Sequence, residues 1–356
     1  MKLVIFGLTV SSSWGNGHAT LWRGLIRALA AQGHDVVFYE RDVPWYAGHR
    51  DLTELTDATL VIYRDWQDIA ARADDFLNAD TLFVTSYCPD AVAATRLIAD
   101  RARGVRVFYD LDTPVTLGRV AAGEQVEYVP LEGLGVFDLV LSYTGGPALE
   151  ALERQLGARR TAPLYGHVDP DLHHPVPAQA MFGGDLSYLG TFAEDRQALV
   201  ERLFLEPARR RPEMRFVLGG SGYPQDFPWT DNIYFMRHVA PPDHPAFFCS
   251  SRATLNVTRR DMAAMGWCPS GRLFEAAACG APILSDDWDG LGAFFTPGEE
   301  ILLVSSPKDV LAALDRDDAE LRRMAARARE RTLAEHSSAE RARELIGLIE
   351  TAREYA

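Results

Sequence analysis

Apolar residues follow two rhythms along this chain. Residues 2–8 are a short, nearly continuous apolar run, the mark of a buried strand. Over 19–31 the apolar positions Leu21, Leu25, Ile26, Leu29 and Ala30 recur at helical spacing. A second apolar run at 35–39 ends at Glu40. Strand, helix and strand in that order predict a parallel pair with a crossover helix. The alternation continues with strands at 60–63, 81–85, 105–109 and 137–142. Helices are expected at 69–77, at 90–101 and, opened by Pro147, at 148–156. The stretch 162–175 is rich in proline and has no period, which marks a linker. Strands then follow at 186–190, 214–218, 233–236, 253–257 and 283–284, with helices over 197–205 and from Arg272 onward. Residues 318–356 read as largely helical. The fold class is α/β, with parallel sheets in two domains at 1–165 and 181–335. A linker spans 166–180, and a helix at 336–356 ends the chain.

Composition narrows the functions open to such a chain. A length of 356 residues exceeds one hydrophobic core and fits two. The formal charge of −14, with no block of Lys and Arg, argues against a nucleic-acid partner. No apolar run is long enough to span a bilayer. The opening MKLVIFGLTV lacks a cleavage pattern and reads as a first strand, not a signal segment. Cys88, Cys249, Cys268 and Cys279 form no C-x-x-C pair, so free thiols in a reducing cytoplasm are expected and no zinc site is visible.

Chemistry concentrates at 270–287, SGRLFEAAACGAPILSDD. Ser270 and Gly271 open a helix whose free backbone N–H groups can meet an anion. Arg272 and Glu275 lie three apart on one face, and Gly280 and Pro282 end the helix before a short strand. An ordinary surface helix with an Arg–Glu ion pair explains the same letters. Elsewhere, Gly15 and Gly17 followed by Glu40 imitate a dinucleotide fingerprint, but the glycines fall too far from the strand end. His18 lies on that glycine-bearing loop at a strand's carboxyl end, where open α/β sheets bind ligands. His34 reads as a polar helix end. Asp110 and Asp112 end a strand as D-x-D, a pattern that can hold a divalent metal or simply cap a turn. Pro114 breaks the related phosphatase signature. Glycines at 219, 220 and 222 permit close backbone approach to a ligand. Arg196 sits near a helix start, where its charge opposes the dipole. His167, His173 and His174 invite a metal reading, with only Asp169 and Asp171 nearby.

The stretch 270–287 resembles the nucleotide-sugar site of GT-B glycosyltransferases, and most closely the CgeB-like group, with its P-S-x-R-L-F-E-A-A-A-C-G-A-P-I-L-S-D. The loop from Gly190 to Arg196 is similar to that superfamily's G-x-x-x-x-x-[KR], 33–36 to its GH-[DE]-V, and 299–304 to its G-x-E-I-L-L-V. The resemblance implies two Rossmann-like domains facing an interdomain cleft, with the last helix crossing back to the first domain. It implies transfer of a sugar from a nucleotide-diphosphate sugar, a UDP-sugar by preference, to an acceptor hydroxyl on a small molecule or glycan. The transfer would be metal-independent and retaining, with no cofactor. Glu275 would hold the ribose. Arg196, Arg272, Ser270, Gly271, Gly190, Gly220 and Gly17 would serve the donor phosphates, and Asp112, Asp110 or His18 would act on the acceptor. One departure stands out: the first of the paired glutamates of many retaining relatives falls on Trp267. A non-catalytic binder of the same fold and an NAD-dependent oxidoreductase remain alternatives.

Overall fold

The computed structural model describes residues 1–15 and 17–355. The chain divides into two compact units, Met1–Tyr165 with Ser338–Ala356, and Gly166–Ser337. The first unit carries β1 (Lys2–Gly7), β2 (Asp35–Arg41), β3 (Thr59–Tyr63), β4 (Thr81–Thr85), β5 (Val105–Asp110), β6 (Leu139–Ser142) and β7 (Thr161–Pro163). Their order is β3-β2-β1-β4-β5-β6-β7, and every pairing is parallel. The second unit carries β8 (Gly184–Leu189), β9 (Phe216–Gly219), β10 (Ile233–Met236), β11 (Ser251–Asn256), β12 (Ile283–Ser285) and β13 (Leu302–Leu303). Its order, β10-β9-β8-β11-β12-β13, repeats the first, again all parallel. In both sheets the order reverses beside the first strand, so the crevice at the strands' carboxyl ends is the expected ligand position.

Buried strands explain the continuous apolar runs. Leu3, Val4, Ile5 and Phe6 are all buried, as parallel strands covered on both faces must be. The last helix, Ser338–Glu354, crosses back to the first unit. Its Ala342, Leu345, Ile349 and Ala352 join the core of Trp22, Leu25, Leu29 and Tyr109. A break at His336 and Ser337 separates it from the helix Asp318–Glu335.

Several elements differ from the sequence reading. Helix Thr113–Ala121 was not among the expected elements, and it contains Pro114. The proline sits in the first turn, where no intrahelical N–H is needed. The helix expected over 69–77 is a short one, Trp66–Ala70, followed by a single tight turn at Ala73–Asp75. The helix expected over 197–205 runs on to Arg210 through a wide turn at Glu201–Leu205, just before Pro207, which has no N–H to give. Residues 166–180 are largely irregular, as their prolines dictate, yet His167, Val168, Asp169 and His173 are buried in the second unit.

Candidate functional site

In the second unit, the carboxyl ends of β8, β9 and β11 and the start of the helix Gly271–Ala278 bring the donor-side candidates together. Gly190 directly follows β8, and its N–H donates to Gly219 O at 2.8 Å. Gly220 lies so close behind that a Cβ on it would stand 2.1 Å from Gly190 O. The glycines therefore bring two strand ends into backbone contact. Tyr223 clamps the same place, donating its hydroxyl to Gly190 O at 2.9 Å.

Arg196 is buried, and one guanidinium NH2 group donates to Thr191 O. Its Nε has no partner, and its Cζ lies 6.0 Å from the Tyr188 ring centroid. Arg272 lies in the first turn of the helix Gly271–Ala278. Its side chain makes no hydrogen bond or ion pair among the described residues. Burial, and then the neighbouring Arg196, lower its pKa. The Arg272–Glu275 ion pair of the ordinary-helix alternative does not form. Glu275 is half-buried, and His244 Nδ1 stands 3.9 Å from its Oε2. Ser270 takes the cap position, and neither its hydroxyl nor any other side chain among the described residues caps the helix. Two cations without an ion-pair partner beside an uncapped helix start are chemistry that can meet a multiply charged anion.

Below this, Asp286 ties β12 to β11 by accepting from the Thr258 N–H and hydroxyl, each at 3.0 Å. Burial raises its pKa to about 6. Trp267 is the residue on which the sequence comparison placed the first of the paired glutamates. Its φ is 49°, its N–H donates to Asp289 O at 2.6 Å, and its ring lies against Gly290. This strained, clamped tryptophan is an outlier of the kind that clusters at functional sites.

The first unit holds the other candidates. Gly17 is exposed and starts the helix His18–Ala31. His18 packs on Tyr87, with ring centroids 5.7 Å apart, and desolvation lowers its pKa to about 4, so the imidazole is neutral near pH 7. Tyr87, which the sequence did not single out, has φ of 62° and donates its hydroxyl to Asp112 Oδ2 at 2.9 Å. Asp112 is half-buried, whereas Asp110 is fully buried. Asp110 accepts from the Asp112 N–H at 3.0 Å through Oδ1, and its Oδ2 has no partner. Burial raises its pKa to about 6.

The acid that a dinucleotide fingerprint would offer to a ribose is otherwise engaged. Glu40 is fully buried, and it accepts from the Val10 and Ser11 N–H groups at 2.7 and 2.9 Å and from the Ser11 hydroxyl at 2.5 Å. It anchors the loop after β1. The partner glycine loop includes Asn16, which lies outside the described residues.

A stability prediction follows from Asp110. Its raised pKa means the folded chain holds a proton that the unfolded chain has released between pH ~4 and ~6. Stability therefore falls as pH rises through that window, and the full penalty applies above it. Asp110→Asn is expected to be more stable than the parent at pH 7 by about 2–3 kcal/mol, with the difference shrinking as pH falls from ~6 to ~4. Denaturant melts from pH 4 to 8 check this, and parallel profiles would refute it.

Two doubly wound sheets of matching strand order, with the last helix returned to the first, define the GT-B fold. Residues 196–347 match a family model described as glycosyl transferase-like. No curated protein matches the chain by sequence. Among solved structures, sucrose-phosphate synthase from Thermosynechococcus elongatus aligns at 15% identity over 100% of both chains, with a TM-score of 0.67. Anabaena HepE, in complex with UDP and glucose, aligns at 11% identity over 99% of this chain and 100% of its own, TM-score 0.67. T4 phage BGT, in complex with its UDP-glucose substrate, aligns at 13% over 98% and 99%, TM-score 0.64.

Proposed function

We propose that the protein is a glycosyltransferase that moves a sugar from a UDP-sugar to an acceptor hydroxyl, without a metal and with retention of the anomeric configuration. The observation that carries the reading is the pair Arg196 and Arg272, two cations with no carboxylate partner converging where the helix Gly271–Ala278 begins uncapped. Charge grows on the departing diphosphate in such a transfer, and preorganised donors aimed at that charge lower the barrier most. Two guanidinium groups and a helix start supply positive charge without a metal ion. Glu275, one turn further along, offers its carboxylate to the ribose hydroxyls. UDP is favoured because HepE and T4 phage BGT are each described with it or with UDP-glucose.

On the acceptor side, Asp112 and His18 are the better placed of the three candidates. Asp112 is half-buried and held by Tyr87, and His18 is neutral and able to accept a proton. Asp110, fully buried, acts by holding the Asp112 backbone. The acceptor itself is a small molecule or glycan hydroxyl.

A panel of UDP-, GDP-, ADP-, CMP- and dTDP-sugars and NAD(H), tested by thermal shift with and without EDTA, decides the donor. Stabilisation by the UDP-sugar that persists in EDTA supports the reading. A response confined to NAD(H) would overturn it. Glu275→Ala should weaken UDP-sugar binding by about 1.5–3 kcal/mol, the usual worth of a charged hydrogen bond. Unchanged affinity by calorimetry would remove Glu275 from the site. The clamped Trp267 favours one second reading, a binder that does not catalyse. Slow hydrolysis of the donor in the absence of acceptor would count against it, and the anomeric NMR signal of any product settles retention.

A further inference from the structure

The donor reading leaves a cluster of unused side chains beside Glu275. His173 comes from the irregular segment 166–180, His244 is the first residue of the helix His244–Ser250, and Glu275 lies in the helix Gly271–Ala278. One ligand atom from each lies within 4.8 Å of the other two. His173 is 6% exposed, and neither of its ring nitrogens has a hydrogen-bond partner. His244 Nε2 lies 3.2 Å from Val239 O. A backbone carbonyl can only accept, so Nε2 carries the proton and Nδ1 presents a lone pair. That lone pair points into the cluster, 3.9 Å from the Glu275 carboxylate and with no hydrogen-bond partner.

Three groups able to donate an electron pair thus converge, and no hydrogen bond joins them. Unsatisfied buried acceptors are costly, and a cation removes that cost. The His244–carbonyl bond is the outer support that fixes tautomer and ring orientation in metal-ligating histidines. Two imidazoles and one carboxylate with a coordination position left open suit a borderline transition-metal dication, and they do not suit magnesium or calcium, which prefer all-oxygen sets.

We infer that His173, His244 and Glu275 form a binding site for one zinc-type dication. A consequence rests on the donor reading above: Glu275 cannot ligate the metal and hold a ribose at once, so metal and nucleotide sugar exclude each other. The ion is then an inhibitor of transfer and not a participant in it.

Co²⁺ is the probe, titrated into the full chain without nucleotide and followed by its visible absorption. One equivalent should give a saturable tetrahedral-type spectrum, displaced by Zn²⁺ and unaffected by Mg²⁺. His173→Ala and His244→Ala should each weaken binding by about a hundred-fold, the upper end of what even outer-shell changes cost. His174→Ala, at an exposed neighbour, should bind as the parent does. Circular-dichroism melts establish that each variant is folded, and His173→Gln serves if the alanine variant is not. Absence of a saturable spectrum, or one that the two histidine variants leave intact, overturns the site. A UDP titration at Zn²⁺ ten times its Kd then tests exclusion, with an expected rise of about ten-fold in apparent Kd. Metal binding without that rise would keep the metal site and place the ribose away from Glu275. UDP binding with no Co²⁺ signal would do the reverse.

Discussion

Replacing Arg272 with methionine is expected to lower kcat by about 10²–10³-fold while leaving the folded protein as stable as before or slightly more so. The activity loss is what removing one preorganised donor from a developing oxyanion costs. The stability expectation runs the other way from most buried substitutions. Arg272 has no hydrogen bond or ion pair among the described residues, and burial, then the neighbouring Arg196, hold its pKa down. Its charge is therefore a burden on the empty fold. Methionine keeps most of the volume and the flexible stem while relieving the repulsion, for a gain of up to about 1 kcal/mol. Arg196 would not show the same separation, because it also donates to Thr191 O and holds the loop after β8. Initial rates with a UDP-sugar, paired with thermal melts of the same preparations, make the test. A variant whose activity and melting temperature fall together would return Arg272 to a structural role. A helix held only by packing gives no reason for stability and activity to part.

Gly220→Ala should have the largest effect on the fold of the second unit, a loss of about 3 kcal/mol or more. Two causes add. Its φ of 151° lies where residues with a Cβ are strained, at about 1–3 kcal/mol. The new methyl would also stand 2.1 Å from Gly190 O and 2.5 Å from its carbonyl carbon, which are backbone atoms that no rotamer change can move aside. Relief requires β8 and β9 to part at their carboxyl ends, and that separation breaks the Gly190 N–H bond to Gly219 O. Chemical denaturation compares the two proteins. A loss under about 1 kcal/mol would mean that the strand ends separate easily, and that the glycine serves ligand approach more than close packing.

Much of the fold is legible in the sequence because strand and helix periods are local. The strands 81–85 and 233–236 lie where the apolar runs put them. The turn chemistry of Gly280 and Pro282 ends the helix Gly271–Ala278 and delivers β12 as expected. Two helices were missed in whole or in part: Thr113–Ala121, with Pro114 in its first turn, was not expected, and the helix from Gln197 runs past 205 through a widened turn to Arg210. The candidate site was legible only in part. Glu40 looked like a ribose ligand because it follows a strand, and its side chain turned inward to satisfy two backbone N–H groups of the loop after β1. Tyr87 carried no signal at all, since a tyrosine after a strand is ordinary until its positive φ and its bond to Asp112 are seen.

By itself the sequence determined the alternation of elements, the two-part division and the helix that carries Arg272 and Glu275. Each depends on side chains a few residues apart and on backbone preferences of single residues. Only the tertiary structure decided which distant residues meet. Arg196 reaches Arg272, and His173 and His244 reach Glu275, because strand order sets β8, β9 and β11 side by side and aims their carboxyl ends at one helix start. Strand order is a property of non-local pairing, and no local period encodes it.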